Sequence, residues 1–584
     1  MRLYMYSLIY VLNIKYHDFM RFLSLFVYFF LFLMISCSKE PSDKVLNPLD
    51  VNELQNLEVL CKVWGLVKYH HPAFMDGSDR DADTDLLALI PKVREANVIT
   101  RNKILLNWIK ELGPYYSSKD GFDQYIRNFR VFTHSTKPEI LTYLTWMENE
   151  SILGTKLSAE LPKVRYAIRS KKNKYIETNS SLNFLEERYP NLTDPSLEYR
   201  LLALFRYWNV IEFFSPTKNL IHRLWDDVLF THIPAFLQAT GSLEYRLAIA
   251  RLIAETCDAS NNVRDWVPVF GNRSPIGLSK SFVGEKLIVN RVLESSGFQI
   301  KPGDEIVSIG GKSVADLKSK VSEYFPVSNN AHLLWIVENW ATYTNDATLT
   351  IDYLSDNEFK TEVFPTEQIR NQPTQVTISK QSFPLAYTLI EGGAIGYINA
   401  AYFEMNEAPA MMNELKDTKG VIFDMRGIPK SSFNDLAYGY FTSSNILFLN
   451  LGILDVYTPG ILYRADRSNA EFTTISNQGN YRGKVIIIVN QSTRGEYTTM
   501  LLQTIPGAIT IGSQTIGLLS GNNTLYLPGN IYTYIPICSV RYFQTENDTQ
   551  RNGIHIDIEV KPTIAGIKAG RDELYEKAVE LILN

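Results

Sequence analysis

Two uninterrupted apolar runs constrain this chain more than any other feature: Gly420-Val-Ile-Phe, leading into Asp424-Met-Arg426, and Lys484-Val-Ile-Ile-Ile-Val489. A strand without polar residues at alternate positions has no face to give to water, so both faces must be covered, as in the parallel sheets of α/β folds. The surrounding sequence supplies the cover. Ala394–Ile398 and Ala508–Gly512 read as further strands, and Ala408–Leu415 and Tyr497–Gln503 as helices between them. This alternation predicts an α/β core. In such cores chemistry collects at the carboxyl ends of the strands. Asp424-Met-Arg-Gly427 and Asn490-Gln-Ser-Thr493 lie at such ends.

The first half of the chain is helical and repeats itself. Trp64-Gly-Leu-Val-Lys-Tyr-His-His-Pro72 and Trp208-Asn-Val-Ile-Glu-Phe-Phe-Ser-Pro216 share their Trp-to-Pro spacing, and Pro91 and Pro234 follow at nearly equal distances. The runs NKILLNWIKELG and EYRLAIARLIAET then repeat apolar residues with helical period. Both segments read as small helical bundles related by duplication, with the tryptophans in the core and the prolines as helix stops. The basic stretch Arg169-Ser-Lys-Lys-Asn-Lys174 reads as solvated surface. Past residue 270 the period becomes two. Gly284–Val292 alternates, Pro302-Gly-Asp304 turns, Glu305–Ile309 is a strand, Gly310-Gly311 permits a tight hairpin, and Asp316 caps a following helix. This stretch resembles a PDZ domain in the circularly permuted form of bacterial proteases, which implies capture of an extended peptide at a sheet edge.

The N-terminus reads as an address. Residues 20–37, MRFLSLFVYFFLFLMISC, begin with a short basic segment and continue as an apolar run of signal-peptide length. The closing Ser-Cys resembles the bacterial lipoprotein box. On that reading residues 1–37 are a signal peptide, with Met20 the better start, and Cys37 is the lipidated residue. Residues 38–50 form a polar tether. A plain transmembrane anchor is the alternative. A lipid anchor would hold the chain to a membrane on the extracytoplasmic side of a bacterial envelope. The net charge of −5 and pI near 6.0 give no basic field for nucleic acid. Cys37, Cys61, Cys257 and Cys538 show no C-x-x-C spacing, and neither H-E-x-x-H nor a Gly-rich phosphate loop occurs. No metal, cofactor or disulfide framework is expected.

Four segments together resemble the tail-specific, or C-terminal-processing, serine peptidases, in their tricorn-core-like branch. They are Trp64–Pro72, Gly392-Gly-Ala-Ile-Gly-Tyr-Ile398, Lys419-Gly-Val-Ile-Phe-Asp-Met-Arg426 and Gln550-Arg-Asn-Gly-Ile-His-Ile-Asp-Ile-Glu-Val-Lys-Pro-Thr563. The resemblance implies an α+β multidomain chain. Its parts are an N-terminal helical region (51–185), a second helical unit (186–265), a PDZ-like β domain (266–370) and an α/β peptidase core of the ClpP/crotonase-like type (371–584). It also implies a serine nucleophile acting on peptides or polypeptide C-termini.

The chain departs from the family pattern where the chemistry sits. Against V-N-E-x-T-x-S-x-x-E, the stretch Val489-Asn-Gln-Ser-Thr-Arg-Gly-Glu496 is two residues short. Counting forward puts the serine position on Gly495 and counting back puts it on Thr493, with Ser492 in neither register. Each residue of slip moves a hydroxyl by up to about 3.5 Å, and a nucleophile needs its base within hydrogen-bond reach. The D-x-H position of the family base holds Ser260, which cannot take a proton as imidazole does. The alternative T-x-G-K pattern reads Thr515-Ile-Gly-Leu518. His70, His71 and His555 remain as histidines to recruit.

Ser492 and Thr493 are thus the candidate nucleophiles, and Gly427 is a candidate oxyanion amide by family position. Asp424 and Arg426 are expected to pair. The Ser-Thr pair also reads as a helix cap with Glu496. Three readings stand. One is an active serine peptidase with a shifted nucleophile. Another is a member with a degraded catalytic set that still binds peptides. The third is a glycan- or partner-binding surface lipoprotein.

Overall fold

The computed structural model describes Asp50–Asn584 except residues 129–137, 179–181, 262–266, 294–296, 369–384, 431–432, 443–444, 474–480 and 544–548. Cys37, the signal segment and all of the tether before Asp50 lie outside the described residues. Among the described residues no helix is long and apolar enough to cross a membrane.

The sequence repeat is repeated in space. Trp64 lies in helix Val51–His70 and Trp208 in helix Leu197–Phe214. Each indole donates to the carbonyl of the residue that opens the next long helix. Trp64 Nε1 reaches Ala82 O at 2.7 Å and Trp208 Nε1 reaches Trp225 O at 2.8 Å. The residue after each tryptophan marks where the two helices cross, because a Cβ on Gly65 would collide with the side chain of Asn209. Asn209 Nδ2 in turn donates to Cys61 O across that crossing at 3.1 Å. Pro91 and Pro234 do not stop their helices. They lie inside Ala82–Arg94 and Trp225–Gln238. Burial of Leu86, Leu89, Ile90 and Val93 in the first, and of Val228, Leu229, Ile233 and Phe236 in the second, offsets the lost backbone bond.

Four buried charges lock the two repeats together. Lys68 Nζ meets Glu186 at 2.8 Å and Asp83 at 3.3 Å, while Arg206 pairs with Asp83 and, through Nε at 3.2 Å, with Glu186. Burial alone would raise the Asp83 carboxyl, but Arg206 and Lys68 pull it down to about 2. The two cations and two anions are balanced in a place no water reaches.

In the PDZ-like region the strand order is Glu358–Pro365, Thr348–Ser355, Glu305–Ile309, Lys286–Val292, Leu278–Val283, and helices Val314–Tyr324 and Asn330–Trp340 accompany the sheet. The Gly310-Gly311 hairpin forms as expected, with both glycines at positive φ. Ser313, not Asp316, is the helix N-cap. Asp316 is its capping-box partner three residues on, because Ser313 is the residue with extended backbone. Leu278–Val283 is an edge strand, and helix Asn330–Trp340 packs beside it.

The core sheet runs Tyr387–Ile390, Ile395–Asn399, Gly420–Asp424, Lys484–Val489, Ile509–Gly512, Ile558–Glu559, antiparallel at the first pair and parallel afterwards. The helical region is not separate from this core. Strand Glu139–Ile140 pairs with Ile461–Ser468, which pairs with Leu447–Leu454 and through it with Cys538–Tyr542. The chain is therefore an α+β molecule of several interlocked parts.

Arg206→Met should leave Asp83 and Glu186 with Lys68 as their one remaining cation in this cluster and lower the unfolding free energy by about 3–5 kcal/mol. Urea denaturation beside the parent chain measures this loss.

Candidate functional site

The Lys484–Val489 strand ends in a turn at the carboxyl edge of the sheet, followed by helix Glu496–Leu502. Asn490 builds that turn. Its Oδ1 accepts from Ser492 N at 2.8 Å, its N–H donates to Thr493 Oγ1 at 3.1 Å, and its carbonyl accepts from Thr493 N at 3.0 Å. Thr493 is fully buried, and its hydroxyl oxygen is engaged inside the turn. It is a buried residue of the turn. Ser492 is half-buried and, among the described residues, no base is bonded to its hydroxyl. Neither residue caps the helix. Gly495 occupies the cap position without a side-chain bond, and Glu496 turns away to accept from Gly517 N at 2.7 Å.

Gly427 does not offer a free amide. Its N–H donates to Met425 O at 2.8 Å, and its carbonyl accepts from Arg494 N at 3.0 Å. The chain folds back tightly after Met425, so the group assigned to an oxyanion is already bonded. Asp424 and Arg426 pair as expected, and Asp572 completes the clamp. Arg426 Nη2 lies 2.8 Å from Asp424 Oδ2 and 2.8 Å from Asp572 Oδ2. Burial opposes ionisation of Asp424, but Arg426 beside it holds its carboxyl below the usual range.

The Asp258–Ser260 segment, where the sequence reading looked for a base, is sealed into a polar knot. Asp258 Oδ1 accepts from Ser260 N at 2.8 Å and from Gln550 Nε2 at 2.7 Å, and its Oδ2 accepts from Thr217 Oγ1 at 2.8 Å. Gln550 Nε2 also donates to Ser260 Oγ at 2.9 Å. The structure thus joins two sequence motifs, Asp258–Ser260 and the Gln550 segment, but with a buried serine at their junction. Leu518 contributes only its backbone, toward Glu496. His70 is buried, with Nδ1 bonded to Leu66 O at 2.8 Å. His71 is buried against Tyr115. His555 is exposed beside Asp557. Among the described hydrogen bonds, none of these histidines reaches Ser492 or Thr493.

The turn's partners come from the PDZ-like region. Gln491 Nε2 lies 3.3 Å from Glu338 Oε1, and the same oxygen accepts from Phe282 N at 2.7 Å on the edge strand. Arg494 stacks on Trp335 with its guanidinium carbon 4.1 Å from the ring centre. Burial pushes the Glu338 carboxyl up to about 7 despite the Phe282 amide, and pushes the nearby Lys280 ammonium down to about 8. Burial likewise raises Glu496 to about 7. Glu338 is held by the Phe282 and Gln491 amides, Glu496 by the Thr515 hydroxyl and the Gly517 and Leu518 amides, and Lys280 Nζ lies 3.2 Å from Thr342 Oγ1. The Glu338 and Lys280 group escapes a reading of motifs. Its sequence signal is the lone carboxylate in the apolar helix NAHLLWIVENW.

No family model and no curated protein sequence matches the chain. Solved structures do. Mature CPAF complexed with lactacystin matches at TM-score 0.51 and 10% identity, covering 66% of this chain and 98% of that chain. Mature CPAF matches at TM-score 0.50 and 9% identity, covering 66% of this chain and 96% of that chain. The photosystem II D1 C-terminal processing protease matches at TM-score 0.37 and 16% identity, covering 62% of this chain and 93% of that chain. At such identities the likeness is one of fold, and the fold is that of the tail-specific peptidases.

The pH behaviour of the tie at Glu338 follows from burial. Its carboxyl stays protonated up to about 7 in the folded chain, against an ordinary value of 4.5. Between these values the folded state holds the extra proton, so stability falls as pH rises through that window. Glu338→Gln removes this titration. The variant should lose less stability than the parent between about pH 5 and about pH 8, by on the order of 2 kcal/mol, in urea unfolding at the two pH values.

Proposed function

We propose that the chain is a polypeptide-binding protein on a tail-specific peptidase scaffold, held at the bacterial envelope through Cys37, whose catalytic set no longer hydrolyses. One observation carries this reading: the base position is Ser260, locked to Asp258 and Gln550, while the Thr493 hydroxyl is consumed in its own turn. A serine peptidase needs hydroxyl, base and oxyanion donors in one place, and loss of one member costs several orders of magnitude. The Gly427 amide, bonded to Met425, supports the same reading. Peptide binding is favoured by the edge strand Leu278–Val283, which has a sheet neighbour on one side only and helix Asn330–Trp340 along the other. An extended peptide adds to such an edge through its main chain. Glu338 holds the Phe282 amide there, so a bound peptide takes that donor from it.

Fluorescein-labelled casein and peptides with free C-termini test the proposal, with anisotropy reporting binding and gel mobility reporting cleavage. Binding without cleavage is expected for the parent chain and for Ser492→Ala alike. Cleavage by the parent that disappears in Ser492→Ala would overturn the non-hydrolytic reading. Absence of binding to every peptide would overturn the peptide-binding reading. For the anchor, labelled palmitate should enter the parent chain in bacterial cells and fail to enter Cys37→Ala. Equal labelling of both would exclude Cys37 as the lipidated residue.

A further inference from the structure

His71 closes the Trp64–Pro72 motif and takes no part in the peptidase-like site. It is 1% exposed. Its Nδ1 accepts from Ala73 N at 3.1 Å, which fixes the neutral ring's proton on Nε2. Among the described residues that buried N–H has no partner. A buried donor of this kind is ordinarily met by an ordered water. The ring stands edge-on to Tyr115, with centroids 4.8 Å apart, and burial holds the imidazole neutral down to about pH 4.

Tyr115 fronts a cleft of about 630 Å³ that Lys110, Tyr116, Ser117, Glu160 and Lys163 also line. That volume is in the range of small-ligand sites. Tyr115 Oη donates to Glu160 at 2.7 Å, and Lys163 meets the same carboxylate at 3.1 Å. Tyr116 is 73% exposed. Its segment is nevertheless fixed: Ser117 bridges antiparallel to Ala167, Ile168 N donates to Tyr116 O at 2.8 Å, and Ser118 N donates to Tyr166 O at 2.9 Å. A large aromatic ring is thus held out to solvent on an ordered backbone, so little ordering remains to be done on binding.

The chemistry of the lining selects among ligands. An anion would meet Glu160, and a cation would meet Lys110 and Lys163. An apolar side chain would find no match in the carboxylate and the two ammonium groups. A sugar hydroxyl donates and accepts at once, which suits a carboxylate set beside ammonium and tyrosyl groups. The C–H face of a pyranose ring suits the flat apolar face of an exposed tyrosine. We infer that this cleft is a saccharide-binding site for neutral pyranose oligomers, independent of the peptide cleft. Tyr116 is its platform and Glu160 its acceptor.

Isothermal titration of the full chain in detergent with cellohexaose, maltohexaose and chitohexaose tests the assignment. At least one should bind with a sub-millimolar Kd. Tyr116→Ala, a change at an exposed side chain, should weaken that binding by about tenfold or more, and Glu160→Gln should weaken it similarly. Circular dichroism of both variants should match the parent. No binding of any of the three at about 10 mM, or binding unaltered in Tyr116→Ala, would overturn the site.

Discussion

The strand Lys484–Val489 is hydrogen-bonded along both edges and covered on both faces, and the candidate site depends on that double confinement. Val485, Ile487 and Val489 join a cluster with Val421, Phe423 and Met425. Ile486 and Ile488 face the other way, against Tyr397, Ile422 and the helix residues Leu574, Ala578 and Ile582. Pairing with Gly420–Asp424 and Ile509–Gly512 fixes where the strand ends. The turn after it has no freedom to slide. Met425 N bonds to Ile488 O and Ser513 N to Val489 O on its two sides. The segment after it must therefore close within a fixed gap, and it does so by folding Asn490 and Thr493 onto each other.

The elements of this core were legible because their side chains declare two buried faces. Lys484–Val489 and Ala408–Leu415 have the ends read from the sequence, the strands read as Ala394–Ile398 and Ala508–Gly512 differ by a residue, and the strand read from Gly420 to Arg426 ends at Asp424. The duplicated tryptophans were equally plain, since spacing survives when surrounding residues change. The prolines were misread because local propensity was weighed without the buried residues around them. The cap at Ser313 was assigned to Asp316 because both residues belong to one capping box, and only backbone conformation tells which is the cap.

At the site, sequence motifs located the segments but not their partners. The slipped register between Asn490 and Glu496 was visible, yet which hydroxyl is buried follows from a turn that only the tertiary gap imposes. Gly427, expected from the sequence to offer an amide, has its N–H bonded two residues back. Glu338 and Gln491 are 153 residues apart and meet only once the PDZ-like region docks on the core. No local pattern encodes such a meeting. What it leaves in the sequence is a charged residue where the helix should be apolar.

The contact between Gly65 and Asn209 carries a consequence for self-association. Duplicated units could pair like with like, each first copy seeking another first copy. Two glycines at the crossing would leave a void, and two asparagines would collide, so only the unlike pair fits. Lys68 would in the same way lose Glu186, which belongs to the second unit. The symmetry of the repeat has been broken at the very point of contact, and each half recognises the other in preference to itself.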